Sequence, residues 1–220
     1  MQTFATPTTL SLTLDVPAGR VTLIATDRAD ATVQVLPADA SKKRDVTAAE
    51  QTEVELTDGA LRITTPVKHQ AIGPSGAVDV TVQLPAGSHV ESRDGAELRG
   101  VGRLGDVRVT RSYGAITLDE AESVHLAALT GDISVGRLTG PAEISTAKGD
   151  IRIAEAERGT LVLSTQLGDV SVGVAAGVTA SLDAGTAHGR VRNALTSTGG
   201  APALEIHATT ASGDVAAHSV

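Results

Sequence analysis

Apolar and polar residues alternate with a period of two along most of the chain, as in Leu10-Ser11-Leu12-Thr13-Leu14, Thr32-Val33-Gln34-Val35-Leu36 and Val78-Asp79-Val80-Thr81-Val82. That period belongs to β-strands with one face buried. Only residues 38–52 have a composition that allows a short helix. The pattern therefore predicts an all-β protein.

A five-residue phrase, Gly-Asp-[Val/Ile]-x-[Val/Ile], recurs at Gly105, Gly131, Gly149 and Gly168, with weaker copies at Gly189-Arg190-Val191-Arg192 and Gly213-Asp214-Val215. From Gly131 the copies are spaced at about 20 residues, the period of a solenoid. An upstream strand precedes each copy, visible in Val124-His125-Leu126, Ala142-Glu143-Ile144, Leu161-Val162-Leu163, Ala180-Ser181-Leu182 and Leu204-Glu205-Ile206. Two strands per repeat form one coil of a parallel β-solenoid, right-handed as parallel crossovers generally are.

The chemistry of the phrase is that of a corner. Glycine permits positive φ where the chain folds back, and aspartate accepts hydrogen bonds from backbone N–H groups left unpaired there. Aligned coils place Asp132, Asp150, Asp169, Arg190 and Asp214 in one column. Neighbouring exposed carboxylates about 5 Å apart repel by roughly 0.8 kcal/mol in a water-like dielectric. Arg190, set between Asp169 and Asp214 by sequence order, would relieve that repulsion.

Residues 1–88 read as an N-terminal β region that caps the solenoid, and residues 89–220 as the repeats, with one continuous domain as the alternative division. Thr57-Asp58-Gly59-Ala60 between two short strands predicts a hairpin. Val16-Pro17-Ala18-Gly19, Leu84-Pro85-Ala86-Gly87 and Gly73-Pro74-Ser75-Gly76 predict turns. The coil ending His218-Ser219-Val220 has no capping helix and is expected to be the exposed end of the stack.

Composition narrows the function. A net charge of −8 provides no basic face for nucleic acid. The cluster Lys42-Lys43-Arg44 reads as a solvated turn. Phe4 and Tyr113 are the only aromatic residues, so platforms for stacking sugars or bases are absent. There is no cysteine for disulfides or thiolate metal sites. The N-terminal residues lack the apolar core of a secretory signal, and no run is long enough for a membrane helix, so no membrane insertion and a cytoplasmic location are expected.

No residue is assigned a catalytic, cofactor-binding or metal-binding role, and no cofactor is expected. A calcium site at the aspartate column would need a denser Gly-Gly-x-Gly-x-Asp pattern than one Gly-Asp per coil. His69, His89, His125, His188, His207 and His218 lack metal-ligand spacing. His207 is expected beside Asp183 across adjacent coils, as a surface ion pair. Parallel β-helix lyases and hydrolases use clustered carboxylates along a sugar cleft, and no Gly-x-Ser-x-Gly elbow occurs here. Ser145-Thr146, Ser164-Thr165 and Thr209-Thr210 predict a hydroxyl ladder that satisfies hydrogen bonds between strands.

The Gly-Asp series, together with Val78-Asp79-Val80-Thr81-Val82-Gln83-Leu84-Pro85-Ala86-Gly87 and Gly189-Arg190-Val191-Arg192-Asn193-Ala194-Leu195, resembles the DUF4097 family of adhesin-like, or toastrack, β-strand-repeat proteins. Residues 41–52 look like the linker of its soluble actinobacterial members. The resemblance implies a β-solenoid with an N-terminal all-β region and supplies no catalytic residues. The expected function is that of a non-enzymatic cytoplasmic β-solenoid, a scaffold or protein-interaction module with an unknown protein partner. Weak self-association through the solenoid ends is expected as well. An exported adhesin or glycan-binding module is the alternative, with a polysaccharide lyase or hydrolase behind it.

Overall fold

A computed structural model describes residues 2–6, 9–66, 76–196 and 200–220. Among the described residues the one helix, α1 (Lys43–Gln51), falls in the only stretch whose pattern allows one. The rest is a stack of two-armed β-coils.

In the middle of the chain the coils follow one another in sequence. Strand β7 (His89–Ser112) bends through a corner, and its second half lies parallel to β8 (Ile116–Thr130), with Val107 opposite Val124. Strand β8 borders both β9 (Ile133–Leu138) and β10 (Ala142–Lys148). Next come β11 (Ile151–Ala156) on β9, β12 (Gly159–Leu167) on β10, and β13 (Val170–Val174) on β11. Every one of these pairings is parallel. Parallel in-register stacking puts equivalent residues above one another, so the alternation must repeat in phase from coil to coil. It does: Leu126, Ile144 and Leu163 form one fully buried column, and Ile133, Ile151 and Val170 another. Each such side chain contributes roughly 1.5–3 kcal/mol on burial.

Coil order departs from chain order at both ends. Strands β14 (Ala180–His188) and β15 (Val191–Ala194) precede β16 (Leu204–Ser212) and β17 (Val215–Ser219) in sequence. In space β16 lies between β12 and β14, with Leu204 opposite Gly159 on one side and Ala180 on the other. Likewise β17 lies between β13 and β15, with Val215 flanked by Val170 and Val191. The coil expected at the exposed end is therefore an interior one, and residues 180–194 form the outermost coil. Packing agrees with this order. Leu204, Ile206, Val215 and Ala217 are buried, whereas Val191 is 45% exposed.

The opposite end shows the same inversion. Strand β2 (Ser11–Thr26) lies between β7 on one side and β5 (Ala60–Thr64) and β6 (Val78–Pro85) on the other. Leu12 is flanked by Leu61 and Val90, and Val21 by Val80 and Leu98. Val16-Pro17-Ala18-Gly19 turns the chain between the two arms of β2. A side chain at Gly19 would meet the carbonyl of Val78 at 1.9 Å. Residue 88 lies where β6 hands over to β7, between coils of one stack whose apolar core runs from Leu10 to Ala217.

Antiparallel strands close this end. Strand β4 (Glu53–Thr57) pairs with β5 through the expected hairpin, which turns at Asp58 and Gly59 with φ of 50° and 78°. Strand β3 (Asp30–Pro37) pairs with β6, and β1 (Gln2–Ala5) with β3. Helix α1 packs on β3 and β6. The buried carboxylate of Asp45 accepts the N–H of Ala77 at 3.1 Å, tying the helix to the chain that enters β6. Gly73-Pro74-Ser75 lies outside the described residues.

Candidate functional site

The Gly-Asp corners form a hydrogen-bonded ladder. Oδ1 of each aspartate accepts the backbone N–H of the corner residue in the next coil: Asp132 from Asp150 at 2.9 Å, Asp150 from Asp169 at 2.9 Å, Asp169 from Asp214 at 2.7 Å, and Asp214 from Arg190 at 2.9 Å. These are charge-assisted bonds to amides that the corner turns away from the strand ladder. Arg190 thus stands at the end of the column, beyond Asp214, and not between Asp169 and Asp214. No further coil follows it among the described residues, so an aspartate there would have no amide to accept. The second oxygens carry ion pairs, Arg152 with Asp150 at 2.7 Å and Arg192 with Asp214 at 3.7 Å.

Two further columns complete the corner. Gly168 has φ of 151°, and a Cβ there would lie 2.0 Å from the carbonyl of Gly149 in the preceding coil. Thr165 Oγ1 donates to that same carbonyl at 3.0 Å; Thr210 does the same to Gly168 at 3.0 Å and Thr186 to Gly213 at 2.9 Å. The expected hydroxyl ladder is thus split in two. Thr146, Thr165 and Thr210 point inward, where Thr165 and Thr210 bind corner carbonyls, while Ser145, Ser164 and Thr209 line the outer face. Thr146 is the exception, its buried hydroxyl having no partner. The Gly105-Asp106 copy lies at the other corner, ahead of an upstream arm, because Asp106 is in register with Ser123 and Val107 with Val124. There Asp106 accepts the hydroxyl of Ser123 at 2.7 Å, and its N–H donates to Nδ1 of His89 at 3.3 Å.

Each flat face repeats one residue per coil. The upstream face carries the row Arg108, His125, Glu143, Val162, His207, Asp183. Within it His125 pairs with Glu143 at 3.1 Å, and His207 with Asp183 at 3.4 Å, the expected neighbours. The downstream face carries Arg99, Thr117, Ser134, Arg152, Ser171 and Ala216, ending in Arg192. Two shallow clefts on the upstream face share Asp106, one reaching His89 and Arg108 and the other His125 and Glu143. Among the described residues no group of three or more His, Asp or Glu side chains is arranged to hold a metal ion. His188 and His218 sit on β14 and β17, and His69 lies outside the described residues. Lys42 pairs with Asp39 at 2.9 Å, and Arg44 with Asp45 at 3.5 Å, at the start of α1.

The two ends differ in kind. Antiparallel strands and α1 close one end. At the other, among the described residues, β14 and β15 are paired on one side only. Their second edges present backbone N–H and C=O groups, the usual template for an added strand. Ala180, Leu182 and Ala184 face inward there and are only partly buried against the core. The sequence holds a signal for this edge. Asn193 occupies the inward position filled by Val172 and Ala217 in the neighbouring coils, and Arg190 replaces the corner aspartate.

No curated protein sequence matches the chain. Among solved structures it is similar to a "putative cell adhesion protein" from Clostridium sporogenes, at 11% identity over 100% of this chain and 98% of that one, with a TM-score of 0.41. A "putative adhesin" from Bacteroides fragilis is similar at 10% identity over 98% of this chain and 95% of that one, with a TM-score of 0.45. The Toastrack DUF4097 profile matches residues 10–219, the whole stack of coils described above, and the chain belongs to that family.

Proposed function

We propose that this β-solenoid is a non-enzymatic scaffold that binds a protein partner through the coil of residues 180–194. The supporting observation is the asymmetry of the stack: one end is covered by β1, β3, β4 and α1, while among the described residues β14 and β15 keep a free edge beside the half-exposed Val191. A partner strand added to such an edge gains main-chain hydrogen bonds, and the inward apolar positions supply selectivity. On the flat faces His125 pairs with Glu143, His207 with Asp183 and Arg152 with Asp150, and these rows serve as the solvated walls.

The test compares affinity capture by the wild-type protein, Val191→Lys at the edge and Arg152→Ala on the downstream face. A partner lost by Val191→Lys and kept by Arg152→Ala supports docking at the edge. One retained equally by all three overturns it. The same reading takes the protein as cytoplasmic, and fractionation of the host cells tests that point, with recovery from the secreted fraction counting against it.

A further inference from the structure

The coil of residues 204–219 occupies a slot whose two walls match each other. Gly159 and Ala180 both lie opposite Leu204, Leu163 and Ala184 both lie opposite Ala208, and Val170 and Val191 both lie opposite Val215. The walls are therefore in register with one another as well as with the insert. The corner chemistry matches too. Asp169 accepts the N–H of Asp214, and Asp214 that of Arg190, so a closed slot would set Arg190 on Asp169. Thr186, which donates to Gly213, would then meet the carbonyl of Gly168, now held by Thr210.

An insert of this kind is a bound layer and not a keystone. When it leaves, the walls can pair directly through the same column pattern. On the slot side, opening therefore leaves neither an unfilled core nor a row of unpaired backbone groups, and the cost that remains is carried by the insert itself until it enters a second slot. Residues 195–203 separate β15 from β16 in sequence. A chain of that length spans up to roughly 30 Å when extended. One coil step is only about 4.8 Å. The connection is thus long enough for the insert to leave its own slot.

We propose that the slot between residues 159–174 and 180–194 is a binding site for one β-coil in trans, and that its partner is the 204–220 segment of a second copy of this chain. Reciprocal insertion gives a domain-swapped dimer with the same contacts as the monomer, so concentration sets the balance between the two. This inference rests on the coil order and is independent of the edge-binding reading above.

The chain contains no cysteine, which makes thiol bridging a clean test. Ser164, Thr209 and Gly185 form one outward row, with Thr209 in the middle. Adjacent members are about 4.8 Å apart and the outer two about 9.6 Å apart. A Cβ at Gly185 meets nothing within 4 Å. With a short bridging reagent, the full chain carrying Ser164→Cys and Thr209→Cys should bridge internally, gaining one linker and remaining a monomer, and Ser164→Cys with Gly185→Cys should not. The reverse pattern overturns the slot itself. Single variants Ser164→Cys and Thr209→Cys, mixed at high concentration and then bridged, should give a covalent dimer above the level of either alone. Its absence after prolonged mixing, with internal bridging of the double variant intact, overturns exchange. Ser171→Cys with Ala216→Cys repeats the test on the opposite face, should a variant of the first pair fail to fold.

Discussion

Asp169 accepts the backbone N–H of Asp214, a residue 45 positions further along the chain, at 2.7 Å. The bonds on either side of it in the column join residues 19 and 24 positions apart. The corner ladder thus crosses the change of coil order without interruption. It recognises a coil by its shape and not by its place in the sequence.

If the column is structural, Asp150→Asn should change stability by no more than about 1 kcal/mol. Asparagine keeps an oxygen for the N–H of Asp169, and the exposed pair with Arg152 that it gives up is worth about 0–1 kcal/mol. Asp150→Ala removes the acceptor as well and should cost about 0.5–1.5 kcal/mol more than Asp150→Asn. Urea unfolding of the two variants separates the outcomes.

The buried threonines offer a matched pair. Thr165→Val leaves the carbonyl of Gly149 without its 3.0 Å donor and should destabilise by about 1 kcal/mol. Thr146→Val, at the equivalent position one coil earlier, removes a hydroxyl that has no partner and should be neutral or stabilising. Equal losses for both would contradict the assignment of the hydrogen bond.

Glycines inside and outside the corner should respond in opposite directions. Gly168→Ala meets the carbonyl of Gly149 at 2.0 Å from a backbone at φ of 151°, and a loss of at least about 1–3 kcal/mol is expected. Gly185→Ala has open space and an unstrained backbone, so it should be neutral or add up to about 1 kcal/mol. Thermal melting of the two variants suffices.

Asp39 provides a test in pH. The Ser41 hydroxyl at 2.6 Å, Lys42 and the Ser41 N–H hold its carboxyl down from 3.8 to about 2. A carboxyl lowered on folding stabilises the fold above its unfolded value and loses that contribution as pH falls through the folded one. The stability difference between wild type and Asp39→Asn should therefore be constant above about pH 4 and vanish toward pH 2. A difference that grows with acid would refute the shift.

Much of the architecture is legible in the residues. Alternation predicts the strands, Asp58-Gly59 the hairpin, and the Gly-Asp phrase the corner, because each depends on local backbone chemistry. Coil order is not legible in that way. Val170, Val191 and Val215 fill equivalent positions, and any of their coils would accept either of the others as a neighbour. Only the residues that break the pattern carry the information. Arg190 offers no carboxylate, and Asn193 puts a polar side chain at an inward position, which is tolerable only in an outermost layer. The same reasoning explains Gly105-Asp106, a local match to the phrase that register assigns to the other corner. The free edge at β14 and β15 follows from coil order and was hidden with it.

The inverted order of the end coils also decides how the molecule bears load. A tether attached beyond Val220 does not pull on the outermost layer. On the Val220 side, force enters through β17 and β16, which are bordered by strands on both flanks. Extraction must shear two hydrogen-bonded borders together, whereas an end layer would unzip along one.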